Sequence, residues 1–448
     1  MKASRSKQGL SAILAVLITI TLSVGVRGAS YVLGKDSLPQ SGVPKGKVEK
    51  RTWDTSTIYP GVTNEFWIYV PAQYTDAEPA CVMVFQDGET YLSTNESMRA
   101  PVVLDNLIHQ GEMPVTIGIF INPGMKEAPR DQRNNQYVPV NDTYARFLVE
   151  EIFPEVGRDY NLVTDASGRA IVGMSDGGLS AFTAAWHRPD TFSKVISHIG
   201  SFTRLRGGAE YPHLVRLTRG NPKPIRVFQQ DGENDLNGTI GNWSLANREL
   251  AAALKFARYD SKLVMGTGGH DLVQGGAIFP DTLRWIWRDY PGVKGAGDPP
   301  DLNAVAGQWE VQVNLMGSII HSVLTVTAQD GTLSATLHDD QKNNIPVTAI
   351  SFENDILSYE YFTPPALMMT EKEGEKEAKA KAGKDKGSKS KYAKDKSGKG
   401  KVGKESLPTM KTWVTVNGDT FEGALSSTTR SKNEWDFAVK GQRKVRAE

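Results

Sequence analysis

The sequence has little cysteine, little net charge and, after its N-terminal region, no long apolar run. A single cysteine, Cys81, excludes an intramolecular disulfide, so an extracellular form of the chain must rely on a large hydrophobic core. Lysine plus arginine number 52 and aspartate plus glutamate 51, and a net charge of +1 creates no overall field that would favour nucleic acid. We therefore predict no nucleic-acid partner.

The N-terminus carries the pattern of an export signal. Three basic residues within the first seven precede an uncharged stretch over 10–26, and small residues surround Gly28. This order is typical of a signal peptide over 1–28; the alternative is an uncleaved anchor, since the run is near the shortest helix that spans a bilayer. Either interpretation predicts an exported protein, periplasmic or extracellular, and cleavage would leave no stable membrane span.

Two regions of different pattern follow. Over 29–293, short apolar runs rich in β-branched residues alternate with runs of helical spacing, which predicts an α/β fold with a mostly parallel sheet and helices on both faces. The strand-like runs cover 66–70, 81–85, 115–121, 170–172, 195–199, 225–229 and 261–265. A Gly/Pro-rich linker at 294–301 leads to eight short strand-like runs within 302–448, which predict a small all-β barrel.

One segment interrupts the barrel pattern. Residues 371–404 consist almost entirely of Lys, Glu, Gly, Ala, Ser and Asp, with one Tyr and one Val. Such a composition cannot bury enough apolar surface to fold alone, so we predict a disordered Lys-rich insertion between two barrel strands. A solvated tether is the simpler interpretation, and contact with an anionic polymer is the alternative.

The most informative motif surrounds Ser175. The apolar run 170–172 leads into Gly-Met-Ser-Asp-Gly-Gly, and a helical stretch of small residues follows. This is the pattern of a nucleophile elbow, in which the serine occupies a strained strand-to-helix turn and glycines let the strand and the helix approach closely. Ser175 is therefore the candidate nucleophile, and the amide of Asp176 is a candidate oxyanion-hole donor.

The other members of a catalytic triad follow downstream in the order acid, then histidine. His270 comes after a strand and a Gly/Thr loop, a position that favours a catalytic base over a core histidine. The loop after the preceding strand offers three acids, Asp231, Glu233 and Asp235, and the spacing alone does not choose among them. A second oxyanion amide is expected from the turn at 85–90, after an early strand.

Together these motifs resemble the esterase D / enterochelin-esterase-like branch of the α/β-hydrolases. The resemblance covers about 53–289 and rests on the segments 84–88, 144–148, 173–178, 199–202, 232–235 and 268–271. Similarity to feruloyl-esterase-like members implies Asp235 as the acid, and similarity to the mycolyltransferases implies the Glu89 amide as the second oxyanion donor. Gly307-Gln308-Trp309 is similar to the Gly-x-Trp that opens lipocalins, and this similarity implies a C-terminal barrel that is lipocalin-like in shape only.

The resulting hypothesis is an exported serine esterase with the triad Ser175, Asp235 and His270, and with the amides of Glu89 and Asp176 as the oxyanion hole. The expected partner is a small-molecule or polysaccharide ester, feruloyl, acetyl or siderophore-type. Two alternatives are an acyltransferase of the mycolyltransferase type and a binding protein that uses its barrel. No cofactor is implied, and no His, Cys, Asp or Glu cluster has metal-ligand spacing. The oligomeric state is not predicted.

Overall fold

A computed structural model describes residues 31–126, 132–204, 207–296, 298–315, 317–341, 343–353, 355–362, 409–427 and 436–446. The chain divides into two compact units, and the boundary along the sequence follows residue 296. The expected signal peptide (1–28) and Lys-rich insertion (371–404) lie outside the described residues. Within those residues, no helix combines the length and the apolar character needed to cross a membrane.

An eight-stranded sheet organises the first unit, in the spatial order β1-β2-β4-β3-β5-β6-β7-β10. The edge strand β1 pairs antiparallel with β2, β2 pairs antiparallel with β4, and the remaining pairs are parallel. The strands are β1 Lys47–Trp53, β2 Asn64–Val70, β3 Cys81–Gln86, β4 Thr116–Ile121, β5 Arg169–Met174, β6 Lys194–His198, β7 Arg226–Gly232 and β10 Ser261–Gly266; β8 Asn237–Gly238 and β9 Gly241–Asn242 form a separate two-stranded ribbon.

Helices connect these strands. They are α1 Gly88–Leu92, α2 Ala100–Gln110, α3 Gln132–Gln136, α4 Thr143–Phe147, a π-helical turn at Leu148–Ile152, α5 Phe153–Val156, α6 Asp176–His187, α7 Tyr211–Leu217, α8 Trp243–Phe256, α9 Val273–Ala277 and α10 Phe279–Trp287. Short 3-10 turns occur at Lys35–Ser37, Ala166–Gly168, Gly208–Glu210 and Leu302–Ala304. The runs of helical spacing at 142–156, 179–187, 243–256 and 280–289 correspond to α4 through α5, to α6, to α8 and to α10. The structure adds α1, α2, α3, α7 and α9.

Hydrophobic cores cover both faces of the sheet, because side chains alternate along each strand. In β3, Val82 and Val84 join one buried cluster, while Cys81, Met83 and Phe85 join the other. A strand covered on both faces reads as a continuous apolar run, which is why the sequence identified these strands. Burial raises the pKa of the Cys81 thiol to about 11, so this residue is a buried apolar side chain. The predicted α/β-hydrolase-type fold class is confirmed.

The second unit is a closed antiparallel barrel. Its strands are β11 Gly307–Leu315, β12 Ser318–Gln329, β13 Thr332–Asp339, β14 Asn344–Glu353, β15 Ile356–Phe362, β16 Thr409–Asn417, β17 Thr420–Ser427 and β18 Asp436–Arg446. Closure follows because β11 pairs with both β12 and β18. Trp309 is fully buried inside, and the Arg443 guanidinium lies 4.4 Å from its ring centroid. The predicted C-terminal barrel is confirmed.

Candidate active site

Ser175 occupies a strained turn between β5 and α6. Its backbone has φ 54° and ψ −120°, a conformation that L-residues rarely adopt. A Cβ on Gly173 would lie 2.1 Å from the Gly177 carbonyl oxygen, and one on Gly178 would lie 2.6 Å from Ser197 Oγ. Glycine at these two positions is therefore required for the helix to start so close to the strand.

The structure brings three of the predicted residues together at the carboxyl ends of β5, β7 and β10. His270 Nε2 lies 2.9 Å from Ser175 Oγ, and His270 Nδ1 lies 2.6 Å from Asp235 Oδ1. Because a carboxylate can only accept, Nδ1 carries the proton and donates to Asp235, and the lone pair of Nε2 faces the serine hydroxyl. Ser175 Oγ can thus donate its proton to His270, as a serine nucleophile requires.

The three acids of the β7 loop lie in different environments. The Asp235 side chain is fully buried against His270. Burial raises the pKa of Asp235, but hydrogen bonds from His270 and other neighbours outweigh it and bring that pKa below its usual range. Glu233 is 58% exposed and pairs with Arg248, whereas Asp231 is buried within β7 and makes no hydrogen bond to His270. Asp235 is therefore the acid that contacts the histidine.

The two predicted oxyanion donors differ in their surroundings. Asp176 is the first residue of α6, where helix amides have no intrahelical acceptor. The Glu89 amide donates instead to Asn122 Oδ1 at 3.1 Å, and Asn122 Nδ2 lies 3.3 Å from Glu89 Oε2. A substrate oxygen at the Glu89 amide would have to replace the Asn122 side chain. The role of Glu89 stays a prediction.

Arg133, which the sequence analysis did not identify, links the two loops that carry these amides. Its guanidinium makes two hydrogen bonds of 2.9 Å to Asp87 and one of 2.7 Å to Asp176 Oδ2, and it also donates to the Met174 carbonyl at 3.2 Å. Asp87 is buried in a left-handed turn just before Glu89. One bidentate cation therefore ties the end of β3 to the nucleophile turn.

A second group missed from the sequence lies on the other side of the nucleophile. Ser201 Oγ is 3.3 Å from Ser175 Oγ and accepts a hydrogen bond of 3.1 Å from Trp243 Nε1. Because the indole donates to Ser201, the Ser201 hydroxyl hydrogen is available for Ser175 Oγ. The Trp243 ring also meets the His270 ring edge-on, at a centroid distance of 5.8 Å. Ser201 thus contacts the candidate nucleophile, and Trp243 contacts the candidate base.

A cavity of about 310 Å³ opens beside Ser175 and His270. Apolar side chains and two acids line it: Met98, Met174, Ile199, Leu272, Val273, Glu96 and Asp271, together with Thr90 and Ser97. Another cavity, of about 350 Å³, lies at the opposite, amino ends of the strands near Lys194 and contains none of the predicted site residues. Within the described ranges, no three His, Cys, Asp or Glu side chains are grouped to hold a metal ion.

Sequence comparison assigns this site to a family. A sequence model of the family described as "Putative esterase" matches residues 60–249, which include β2 to β7 and the elbow at Ser175. This segment is therefore similar to that esterase family. The resemblance drawn from the motifs is therefore confirmed. The matched region contains Ser175 and Asp235, while His270 follows it in the chain.

Several curated proteins are similar to the esterase region. An iron(III) enterobactin esterase from Dickeya dadantii is 24% identical over 253 residues, which cover 53% of this chain and 52% of that protein. An Escherichia coli enterobactin esterase is 29% identical over 170 residues, 37% of this chain and 40% of that protein. A ferri-bacillibactin esterase from Bacillus subtilis is 32% identical over 92 residues, 20% of this chain and 31% of that protein. The chain thus spans about half or less of the length of these relatives.

Solved structures with similar folds include two esterases. The enterobactin esterase of Shigella flexneri, crystallised in the presence of enterobactin, has a TM-score of 0.45 and 24% identity over 56% of this chain and 60% of that chain. A ferulic acid esterase from Anaeromyces mucronatus in complex with ferulic acid has a TM-score of 0.47 and 17% identity over 58% of this chain and 98% of that chain.

Proposed function

We propose that this protein is an exported serine carboxylic-ester hydrolase that works through an acyl-enzyme. The observation that carries the proposal is the continuous hydrogen-bonded series Ser175 Oγ, His270 Nε2, His270 Nδ1 and Asp235 Oδ1, with distances of 2.9 and 2.6 Å. The match of residues 60–249 to an esterase family model supports the same reaction class. The expected signal peptide over 1–28 supports export to the periplasm or the extracellular space.

The geometry suits a two-step mechanism. Ser175 Oγ attacks the ester carbonyl carbon while His270 Nε2 takes its proton, and Asp235 stabilises the imidazolium that forms. The amides of Asp176 and Glu89 bind the oxyanion, once the Asn122 side chain has left the Glu89 amide. Collapse releases the alcohol, which receives the proton from His270. Water then attacks the acyl-enzyme by the same route and returns free Ser175 and the acid.

We propose a carbohydrate ester carrying feruloyl or acetyl groups, or a siderophore-type ester, as the substrate. Relatives named for enterobactin, bacillibactin and ferulic acid support this range. The cavity beside Ser175 supports an acyl group with apolar surface, since Met98, Met174 and Leu272 line it. A panel of feruloyl, acetyl-xylan, short-chain aryl and catecholate-trilactone esters would rank these classes by kcat/KM.

Replacement of the nucleophile tests the reaction class. We expect Ser175→Ala to lower kcat for a p-nitrophenyl ester by a factor on the order of 10⁴ or more, because the proposed acyl-enzyme forms on Ser175 Oγ. An organophosphonate should label the wild-type protein once, at Ser175, by mass spectrometry. Ser167→Ala is the matched control, since Ser167 lies before β5 at the far edge of the sheet.

Two results would change the proposal. Undiminished turnover in Ser175→Ala, with no phosphonate adduct on the wild type, would remove the serine mechanism and favour a binding protein. Acyl transfer to an added sugar in preference to water would replace hydrolysis by an acyltransferase reaction on the same acyl-enzyme. Product analysis with and without a carbohydrate acceptor distinguishes the second case.

A further inference from the structure

Asp231 is a buried carboxyl group that the triad mechanism does not use. It lies in β7, one residue before the strand ends, and it is fully inaccessible to solvent. Its Oδ1 accepts a hydrogen bond of 2.7 Å from the Gly232 amide. Its Oδ2 has no donor, although it is also buried. An ionised carboxylate with a free buried oxygen is strongly destabilising, so this side chain requires an explanation.

Asp235 presents a matching feature four residues later. Its Oδ1 accepts hydrogen bonds from His270 Nδ1 and from the Leu236 amide, whereas its Oδ2 is buried without a donor. The side chains of Asp231 and Asp235 are hydrogen-bonding neighbours. Two carboxylates can only accept, so both orphan oxygens remain unsatisfied if both residues are ionised. One proton placed between them satisfies both oxygens at once.

We propose that Asp231 is a positioning residue of the triad: it remains a neutral carboxylic acid and donates its O–H to Oδ2 of Asp235. This inference rests on the proposed esterase reaction, in which Asp235 orients His270. The donated hydrogen bond fixes the plane of the Asp235 carboxylate, so that Oδ1 faces His270 Nδ1. Asp235 keeps the negative charge that the imidazolium needs during the reaction.

The groups around Asp231 explain why it holds the proton. Burial and the neighbouring Asp235 carboxylate raise the pKa of Asp231 to about 8, and the Gly232 amide and Asn247 only partly oppose them. The effect of Asn247 is limited because its Nδ2 donates to the backbone carbonyls of Gly200 and Trp243, at 2.8 and 3.1 Å. Asp235, in contrast, has His270 as a donor, and its pKa is below the usual range. The proton therefore belongs on Asp231.

The sign of the pH effect follows from this arrangement. Below a pKa of about 8, Asp231 is neutral and supports Asp235. Above it, Asp231 loses the proton, the hydrogen bond disappears and a second negative charge faces Asp235 and, through it, His270. The wild-type protein should consequently lose kcat/KM as the pH rises through about 8. Asparagine at position 231 would donate through its amide at every pH.

The test compares two variants with the wild type. We expect Asp231→Asn to keep kcat within about threefold near neutral pH and to lack the alkaline fall that Asp231 causes. Asp231→Ala should lower kcat about 10- to 100-fold, with KM little changed, because Asp235 is left without its donor. Glu233→Gln is the control, since that acid lies on the same loop as Asp235, is exposed and pairs with Arg248 of α8.

Proton NMR of the protein without substrate gives an independent reading. The low-field Nδ1–H resonance of His270 should persist in Asp231→Asn and shift or broaden in Asp231→Ala. Equal losses in both variants, or an unchanged alkaline limb in Asp231→Asn, would overturn the proposal. So would full activity and an unchanged resonance in Asp231→Ala. Full activity in Ser175→Ala would refute the esterase proposal alone. The His270 Nδ1–H resonance would still show whether Asp231 donates to Asp235, because that measurement does not depend on activity.

Discussion

Removal of Arg133 should damage both the stability of the esterase unit and its catalysis. The side chain bridges Asp87, before the Glu89 amide, and Asp176, whose own amide is the other proposed oxyanion donor. Arg133→Met keeps a similar volume but removes every hydrogen bond. The buried Asp87 then has no cation to compensate it, and the two loops are no longer tied together.

The magnitude follows from that unpaired carboxylate. Breaking a buried ion pair by removing one partner typically costs about 3–5 kcal/mol. At about 2–4 °C per kcal/mol for a unit of this size, Tm should fall by roughly 6–20 °C. Loss of one oxyanion donor lowers kcat about 10²- to 10³-fold. Replacement of Arg133 would displace the donors without removing them, so kcat should fall less, by about 10- to 100-fold.

The pH dependence has a definite sign. Burial raises the pKa of Asp87 above its usual value and outweighs the opposing effect of Arg133. A raised folded-state pKa stabilises the fold at low pH, and that contribution disappears as the pH rises. Without Arg133 the pKa of Asp87 rises further, so the Tm deficit of Arg133→Met should be smaller at pH 5 than at pH 8.

Differential scanning calorimetry at both pH values, with ester kinetics, measures these effects. Arg146→Met is the matched control, because Arg146 forms an exposed helical pair with Glu150 and should show no measurable change. A Tm loss in Arg133→Met no larger than in that control would refute the reasoning. A full Tm loss with unchanged kcat would separate stability from the oxyanion hole and refute the catalytic part.

Two further replacements address the groups around the nucleophile. Ser201→Ala should lower kcat several-fold with KM unchanged, because Ser175 Oγ loses the hydroxyl that Trp243 orients; steady-state kinetics that show only a KM change would contradict this. Asn122→Ala frees the Glu89 amide from a competing hydrogen bond worth about 0.5–1.5 kcal/mol, so kcat/KM should rise about 2- to 10-fold. A large decrease in kcat/KM would instead make Asn122 part of the substrate site.

The sequence was most informative where burial controls composition. All seven predicted strands of the sheet are present, and β3 and β4 are buried along their whole length. The missed edge strand β1 contains Lys47, Glu49, Lys50 and Arg51 and is largely exposed, so its pattern resembles a loop. Helix α2 was missed despite a usable signal: Val103, Leu104, Leu107 and Ile108 recur at helical spacing, and Gly111 ends the helix with φ 70°.

The site was predictable only in part, since local motifs identify residues but not their partners. The turn at Ser175 and the Gly-rich loop before His270 have local signatures, and both residues lie where the strand order brings them. Choosing Asp235 over Asp231 and Glu233 depends on where the β7 loop points relative to β10, which composition does not encode. Arg133 has no signal at all, because its partner Asp87 is 46 residues away in the sequence.

Two buried carboxyl groups near Ser175, Asp87 and Asp231, are accommodated in different ways. Arg133 makes two hydrogen bonds to the buried Asp87 and opposes the effect of burial, which raises the pKa of that carboxyl group. Asp231 has no cation beside it in the described structure, so burial favours its neutral, protonated form over the carboxylate. The two acids respond oppositely to the same neutralising substitution. Asp231→Asn should be tolerated, whereas Asp87→Asn would leave the Arg133 guanidinium with Asp176 as its remaining carboxylate partner in the described structure and should lower the Tm of the esterase unit.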